Sequence, residues 1–148
     1  MKHRLIELFP IGIIHSPFRE KEGMPLQPIR SQEAGVLEVF PDYEQGLQDI
    51  EGFSHLILLY HFHQEPQTRM LVKSYLEDSI HGVFATRSPK RPNHLGISTV
   101  ELVQREGNLL RVFGIDVLDQ TPLLDIKPYI PRIDDRAGAR SGWLQHLW

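Results

Sequence analysis

Residues 54–64 read SHLILLYHFHQ and form the strongest strand pattern in the chain. Successive side chains of a strand point to opposite faces, so Leu56, Leu58 and Tyr60 share one face while Ile57 lies on the other. Both faces are largely apolar, and this is typical of a strand in the middle of a sheet. The pattern therefore predicts a central strand.

The remaining patterns also favour strands. Residues 96–105 and 109–118 flank Glu106-Gly107-Asn108, which predicts a β-hairpin with a glycine-containing turn. About seven strands and little helix predict an all-β fold, namely an antiparallel β-barrel with short helices and long loops. The other predicted elements are strands at 5–15, 35–40, 82–86 and 123–129, a long proline-bearing loop at 16–34, and one short helix at 41–50 capped by Asp42.

Length and composition describe an ordinary globular chain. The 148 residues are close to the commonest size of one domain, with 41% apolar and 24% charged residues. The absence of cysteine excludes a disulfide framework, a cysteine-based zinc site and a cysteine nucleophile. The longest apolar stretch, residues 56–60, is too short to span a bilayer, and the N-terminus lacks an export signal. We therefore expect a cytoplasmic protein without a membrane partner.

Charge is distributed unevenly along the chain. The net charge is −3, yet residues 31–65 carry seven acidic side chains and neither lysine nor arginine. Residues 66–114 carry an excess of basic side chains. A polyanion could therefore bind only to a local patch, and the alternative is two solvated faces of opposite sign.

The histidines do not predict a metal site. His61 and His63 lie on one face of the predicted central strand, but zinc or iron would need a third ligand, for which His15 or His55 could be proposed. The chain has no HExxH motif and no acid spaced to complete a triad, so we expect no metal. It also lacks the GxSxG, GxxxxGK[ST] and GxGxxG motifs of serine hydrolases, P-loop NTPases and dinucleotide-binding folds.

Two stretches carry side chains suited to chemistry. Residues 82–96 read GVFATRSPKRPNHLG, where a proline-bracketed loop holds Arg87, Lys90 and Arg91. Cations so close together repel each other unless an anion lies among them, although a solvated turn is the alternative. Residues 119–131 read DQTPLLDIKPYIP, and a period of two puts Asp125, Lys127 and Tyr129 on one face. A structural Asp–Lys pair is the alternative there.

These two stretches belong to a set of motifs that resembles, in the same order, the TsaA-like (TrmO-type) domain. The characterised branch of that family is a β-barrel S-adenosylmethionine-dependent tRNA methyltransferase. It methylates N6 of the threonylcarbamoyladenosine beside the anticodon. The motifs that carry the resemblance are IGIIHSPF at 11–18, FHQ at 62–64, GVFATRSPKRPN at 82–93 and DQTPLLDIKPYIP at 119–131.

The resemblance covers nearly the whole chain. It predicts a single domain over residues 1–148, with a core at about 8–131 and a C-terminal tail at 132–148. The sequence departs from the family pattern at two places. The family usually has RPNPIG where this chain has RPNHLG, which places His94 at a proline position, and it usually has DGTP where this chain has Gln120 in place of glycine.

The resemblance implies a homodimer with a tRNA substrate and an S-adenosylmethionine site. Trp143 and Trp148 in the tail are aromatic residues of the kind that interfaces favour. The resemblance implies that Arg87 pairs the methionyl carboxylate and that Asp116 reaches a ribose hydroxyl or lies near the sulfonium. The implied cofactor-binding residues are Gln27, Pro28, Ile29, His63, Gln64, Arg87, Leu95, Ile97, Ile115, Asp116, Val117 and Leu118.

The implied reaction also needs a base and a surface for RNA. Asp125 and Tyr129 are the candidate bases for the proton on the target nitrogen, and Lys127 would orient or pair the substrate carboxylate. The RNA would be gripped by Lys90, Arg91 and Asn93, with Arg132, Arg136 and Arg140 as helpers. Two alternatives stay open, namely a non-catalytic barrel that binds a nucleotide or RNA, and a methyltransferase of a small molecule.

Overall fold

The computed structural model describes residues 3–20 and 31–147. Short helical segments connect the strands, and the longest is a 3-10 helix at Pro41–Leu47. The shorter ones are the 3-10 segments Ile50–Gly52, Val83–Ala85 and Gly142–Leu144 and the α-helix α1 at Pro131–Asp134. The strands are β1 Gly12–His15, β2 Ala34–Val39, β3 His55–His61, β4 Leu71–Lys73, β5 Ile80–Gly82, β6 Leu95–Glu106, β7 Leu109–Phe113 and β8 Thr121–Pro128.

Six of these strands close into an antiparallel barrel, which confirms the predicted fold. The order around the barrel is β1-β2-β7-β6-β3-β8, and β4 pairs with β5 in a separate two-stranded sheet. The predicted central strand, β3, has β6 on one side and β8 on the other. Closure pairs every barrel strand on both edges, so the barrel has no open edge.

The core follows the alternation of β3. Leu56, Leu58 and Tyr60 point inward and are at most 3% exposed. They meet inward residues of the other barrel strands, including Leu37, Val100, Leu110, Val112 and Leu123. Burial of a side chain of this size contributes about 1.5–3 kcal/mol relative to leaving it exposed. The barrel is therefore held together mainly by one apolar interior.

The predicted hairpin is present, but its second strand is shorter than expected. Gly107 adopts a φ of 59° in the turn between β6 and β7, a conformation that favours glycine. Strand β7 ends at Phe113 rather than at residue 118. The backbone N–H groups of Gly114 and Ile115 donate to the carbonyl of Glu33, which turns the chain away from the ladder. Residues 114–118 are buried without being a strand.

The predicted strand at 5–15 is wrong over its first part. Only Gly12–His15 pairs, and the preceding apolar side chains are exposed, with Leu5 and Ile6 at 81% and 80%. Pro10 has no N–H to give to a ladder, and pairing begins just after it. The prediction misassigned this segment because apolar residues suggest a strand whether or not a partner is available.

Two other local predictions need correction. The helix expected at 41–50 is a 3-10 helix that begins with Pro41, its N-cap is Phe40, and no described side chain caps it, so Asp42 is not the cap. The strand expected at 82–86 is a single 3-10 turn at Val83–Ala85. The Thr86 hydroxyl donates to the Val83 carbonyl at 2.8 Å and stabilises this turn instead of an extended chain.

The tail folds back onto the two-stranded sheet. The Trp143 ring stacks on His81 with ring centroids 4.0 Å apart, and its Nε1 donates to the Ala85 carbonyl. The Glu77 carboxylate contacts both His81 and His146. Trp143 therefore has a partner within the chain, while Trp148 lies outside the described residues. None of the described helices is long and apolar enough to cross a membrane.

Candidate cofactor and substrate site

A row of three hydrogen-bonded polar side chains lies buried in the largely apolar interior of the barrel. Tyr60 on β3 and Ser98 on β6 point inward, and Asp116 lies in the buried segment after β7. The Tyr60 hydroxyl is 2.7 Å from Ser98 Oγ, and Ser98 Oγ donates to Asp116 Oδ1 at 2.6 Å. Of the three, only Asp116 was among the predicted site residues.

Gly96 makes this row of hydrogen bonds possible. It is the residue of β6 directly opposite Tyr60. A Cβ atom at Gly96 would lie 2.2 Å from Tyr60 Cε2 and 2.8 Å from Phe62 Cζ. Without that atom the Tyr60 ring packs closely over Gly96, in an edge-to-face arrangement with the Phe62 ring, and its hydroxyl reaches Ser98 two residues further along β6.

Burial dominates the electrostatics of the row. It raises the pKa of Asp116 from 3.8 to about 6, while the hydrogen bond from Ser98 and the positive charge of Arg87 act in the opposite direction. Burial and the nearby Asp116 carboxylate also raise the pKa of Tyr60 well above its ordinary value. The Arg87 charge acts on both groups, so a guanidinium and a buried carboxylate lie within electrostatic reach of each other.

Three hydroxyl groups hold the segment that carries Asp116. Ser31 donates to the Ile115 carbonyl. Ser16 donates to the Val117 carbonyl and Thr121 to the Leu118 carbonyl, both at 2.6 Å. The Leu118 carbonyl also accepts a hydrogen bond from the Thr121 backbone N–H at 3.3 Å. The segment is therefore anchored from three separate parts of the chain, and the side chains of Ile115, Val117 and Leu118 are buried.

Other predicted cofactor residues gather at one end of β3 and β6. His63 and Gln64 lie exposed in the turn that follows β3, beside Leu95, which pairs with His61 at the start of β6. Leu95 and Ile97 alternate with the inward Gly96 and Ser98, so they face outward and are 41% and 47% exposed. Gln27, Pro28 and Ile29 lie outside the described residues.

Arg91, one of the three cations of the proline-bracketed loop, stabilises that loop by hydrogen bonds to its backbone. Arg91 Nη1 donates to the carbonyls of Thr86 and Ser88 at 2.9 and 3.2 Å. Arg91 is half-buried, whereas Arg87 and Asn93 are exposed. The Lys90 carbonyl accepts a hydrogen bond from the Arg69 backbone. The guanidinium of Arg91 therefore stabilises the loop and is only partly available to a phosphate.

The two residues that depart from the family pattern, His94 and Gln120, both have a positive backbone φ. His94 has φ 48°, which the ring of a proline cannot adopt, and its Nδ1 lies 2.9 Å from the Pro89 carbonyl. Gln120 has φ 68°, the conformation that glycine adopts at least cost. Its side chain lies 3.1 Å from His15 Nδ1.

The three predicted catalytic residues lie on the outside of the barrel. Asp125 and Lys127 share the outward face of β8, as the period of two predicts, and form an ion pair at 3.0 Å. Tyr129 lies beyond the end of β8, and its hydroxyl donates to Asp135, which raises the pKa of the phenol. Asp125 therefore pairs with Lys127, whereas Tyr129 is hydrogen-bonded to the carboxylate of Asp135.

The sequence contained one signal for the residues that were missed. Tyr60 and Ser98 occupy inward positions of strands whose other inward residues are apolar or glycine, and a buried hydroxyl needs a partner. Within the described ranges, no group of three or more histidine, aspartate or glutamate side chains is arranged to hold a metal ion.

Comparison with known proteins finds similarity to a tRNA-methyltransferase domain and to S-adenosyl-L-methionine-binding proteins. The model of the tRNA-methyltransferase O N-terminal domain matches residues 13–135. A probable S-adenosyl-L-methionine-binding protein of Pyrococcus abyssi is 55% identical over 137 residues, which are 92% of this chain and 74% of that protein. A tRNA (adenine(37)-N6)-methyltransferase of Rattus norvegicus is 40% identical, over 84% of this chain and 31% of that protein.

Solved structures share the fold closely. A crystal structure of TrmO from Pseudomonas aeruginosa superimposes with a TM-score of 0.79 at 41% identity, over 97% of this chain. This chain spans 63% of that TrmO chain. The match of the family model over most of the barrel, together with the Pyrococcus relative, shows that the chain belongs to the family of tRNA-methyltransferase O N-terminal domains.

Proposed function

We propose that the chain is an S-adenosylmethionine-dependent methyltransferase that acts on tRNA, at N6 of the threonylcarbamoyladenosine beside the anticodon. The observation that carries the proposal is the buried carboxylate of Asp116 within electrostatic reach of Arg87. A carboxylate in such a place is costly unless it receives a cation. The names of the relatives, which include a tRNA (adenine(37)-N6)-methyltransferase, support the choice of cofactor and substrate.

The charges of the site suit this cofactor. S-adenosylmethionine has a carboxylate at one point and an ammonium and a sulfonium at others, and when bound it supplies the methyl group. Arg87 is exposed and pairs the cofactor carboxylate in this proposal. Asp116 accepts the cationic part in a region of low dielectric, where attraction between charges is stronger than in water. In this proposal the adenine of the cofactor binds to backbone amide and carbonyl groups of residues 115–118, next to Asp116.

Removal of the proton from the target nitrogen needs a base. Among the predicted candidates Asp125 is favoured over Tyr129, because the raised pKa of Tyr129 keeps the phenol protonated. Lys127 pairs with Asp125 and has room to meet a substrate carboxylate, since its side chain is 63% exposed. A base in this position contributes about 10²–10⁴-fold to the rate.

The RNA contact in this proposal is small. Lys90 and Asn93 lie in the loop that follows Arg87, and Arg91 holds that loop in shape through its two carbonyl contacts. Arg132, Arg136 and Arg140 lie exposed in and after α1. Lysine and arginine side chains that neutralise phosphates make binding dependent on salt, so tight association requires low ionic strength.

Replacement of Arg87 tests the cofactor site. The variant Arg87→Ala loses a charge-assisted hydrogen bond worth about 1.5–3 kcal/mol, so its affinity for S-adenosylmethionine falls about 10- to 150-fold. Isothermal titration calorimetry measures this change. Arg111→Ala is the matched control, because Arg111 is exposed in the middle of β7 and pairs opposite Val36. Equal affinities of Arg87→Ala and the wild type would remove Arg87 from the site.

The substrate is tested with two preparations of tRNA. Purified protein and S-adenosylmethionine are incubated with tRNA that carries the threonylcarbamoyl group and with tRNA that lacks it. We expect methylation of the modified tRNA alone, detected by mass spectrometry of the nucleosides. Equal methylation of both, or of neither, would rule out the proposed nucleoside and favour a small-molecule substrate or a binding function.

We also propose that the chain forms a homodimer. The support comes from the exposed apolar side chains of Leu5, Ile6, Leu8 and Phe9, since such patches are typical of interfaces. We expect static light scattering at micromolar concentration to give twice the chain mass of 17.1 kDa. A mass equal to that of one chain would contradict the dimer.

A further inference from the structure

The Tyr60 ring packs in the core, but the hydroxyl groups of Tyr60 and Ser98 are not needed for packing. The two residues are 3% and 2% exposed, and their neighbours on the inward face are Leu58 and Val100. A buried hydroxyl costs about 1–3 kcal/mol unless it is hydrogen-bonded, so an apolar pair in these positions would be the simpler core. Their hydrogen bonds run to a charged group, the carboxylate of Asp116.

The hydrogen bonds of this row have a fixed direction. An ionised carboxylate only accepts hydrogen bonds, so the Ser98 hydroxyl donates its single hydrogen bond to Asp116 Oδ1. Ser98 Oγ must then accept from the Tyr60 hydroxyl, which is 2.7 Å away. Tyr60 thus holds the Ser98 hydroxyl with its proton toward the carboxylate, and the bond from Ser98 favours the ionised form of Asp116.

We propose that Tyr60 and Ser98 are positioning residues which keep the Asp116 carboxylate ionised and aimed at the cation of the cofactor, while neither touches the cofactor itself. This inference rests on the proposed function, because it takes the cofactor cation as the partner of Asp116. It adds two residues from β3 and β6 to a site that the motifs placed only in loops and at strand ends. It also explains why β6 has glycine opposite Tyr60.

Ionisation of Asp116 makes a positioning role distinguishable from a structural one. The charged side chain that acts on Asp116 is Arg87. Tyr60 stays neutral in this pH range, because burial and the Asp116 carboxylate raise its pKa well above its ordinary value. The pKa of Asp116 is about 6, and loss of the Ser98 donor raises it. The carboxylate of a Ser98→Ala variant is then ionised to a smaller fraction than that of the wild type near pH 6.5, and this difference shrinks toward pH 8.5. A purely structural defect would weaken binding equally at both pH values.

The experiment is a cofactor titration of wild type and variants between pH 5.5 and 8.5. The ratio of variant to wild-type Kd at each pH cancels the ionisation of the cofactor. For Ser98→Ala we expect a ratio of about 10 near pH 6.5, which falls several-fold by pH 8.5 as the carboxylate ionises. Tyr60→Phe keeps the ring and the Ser98 donor, so its ratio follows the same trend with a smaller amplitude. Thr99→Ala, exposed on the outward face of β6, is the control and gives a ratio near one.

Carbon-13 NMR of the Asp116 carboxyl in the ligand-free protein separates this inference from the proposed function. We expect its titration midpoint to rise from wild type to Tyr60→Phe and further to Ser98→Ala. A Kd ratio that does not change with pH, or an unchanged midpoint in both variants, would overturn the positioning role. If the wild type bound no S-adenosylmethionine, the proposed function would fail, while the NMR midpoints would still decide whether Tyr60 and Ser98 hold the carboxylate ionised. Tyr60→Phe keeps the test decisive if Ser98→Ala does not fold.

Discussion

The carboxylate of Asp116 is the constraint on which the rest of the site depends. It is 9% exposed at the end of an apolar barrel, and burial raises its pKa to about 6. A charge in this position lowers the stability of the protein, so the surrounding structure is arranged to compensate for it. Ser98 donates to it, Tyr60 orients Ser98, and Arg87 lies within electrostatic reach.

The backbone is arranged around the same group. Gly96 leaves room for the Tyr60 ring, and the hydroxyls of Ser16, Ser31 and Thr121 hold the segment on which Asp116 lies. Ser16 follows β1, Ser31 precedes β2 and Thr121 is the first residue of β8, so the position of the segment depends on the ends of three barrel strands. The barrel thus supports the site. A bound ligand cation would offset the unfavourable free energy of burying the Asp116 charge.

The sequence predicted what depends on local pattern. The alternation in residues 54–64 located a central strand, but not which of its two apolar faces points inward, and the turn at Gly107 located a hairpin. The row from Tyr60 to Asp116 could not be predicted, because its hydrogen bonds join residues 38 and 18 positions apart and depend on the register of β3 against β6. The early end of β7 likewise depends on the distant carbonyl of Glu33. The family resemblance predicted Asp116 as a site residue, but it did not predict Tyr60 and Ser98, which hold its carboxylate by hydrogen bonds.

The unfolding free energy of Asp116→Asn as a function of pH tests this account most directly. Because folding raises the pKa of Asp116 from 3.8 to about 6, its contribution to stability is present below pH 4 and is lost as the pH rises through 6. Urea unfolding at pH 8 should therefore show the variant about 1–3 kcal/mol more stable than the wild type, a gain that vanishes near pH 4, with cofactor binding lost. Asp42→Asn, an exposed site, controls for the loss of one charge. A variant less stable than the wild type at pH 8, or a difference that does not change with pH, would contradict the account.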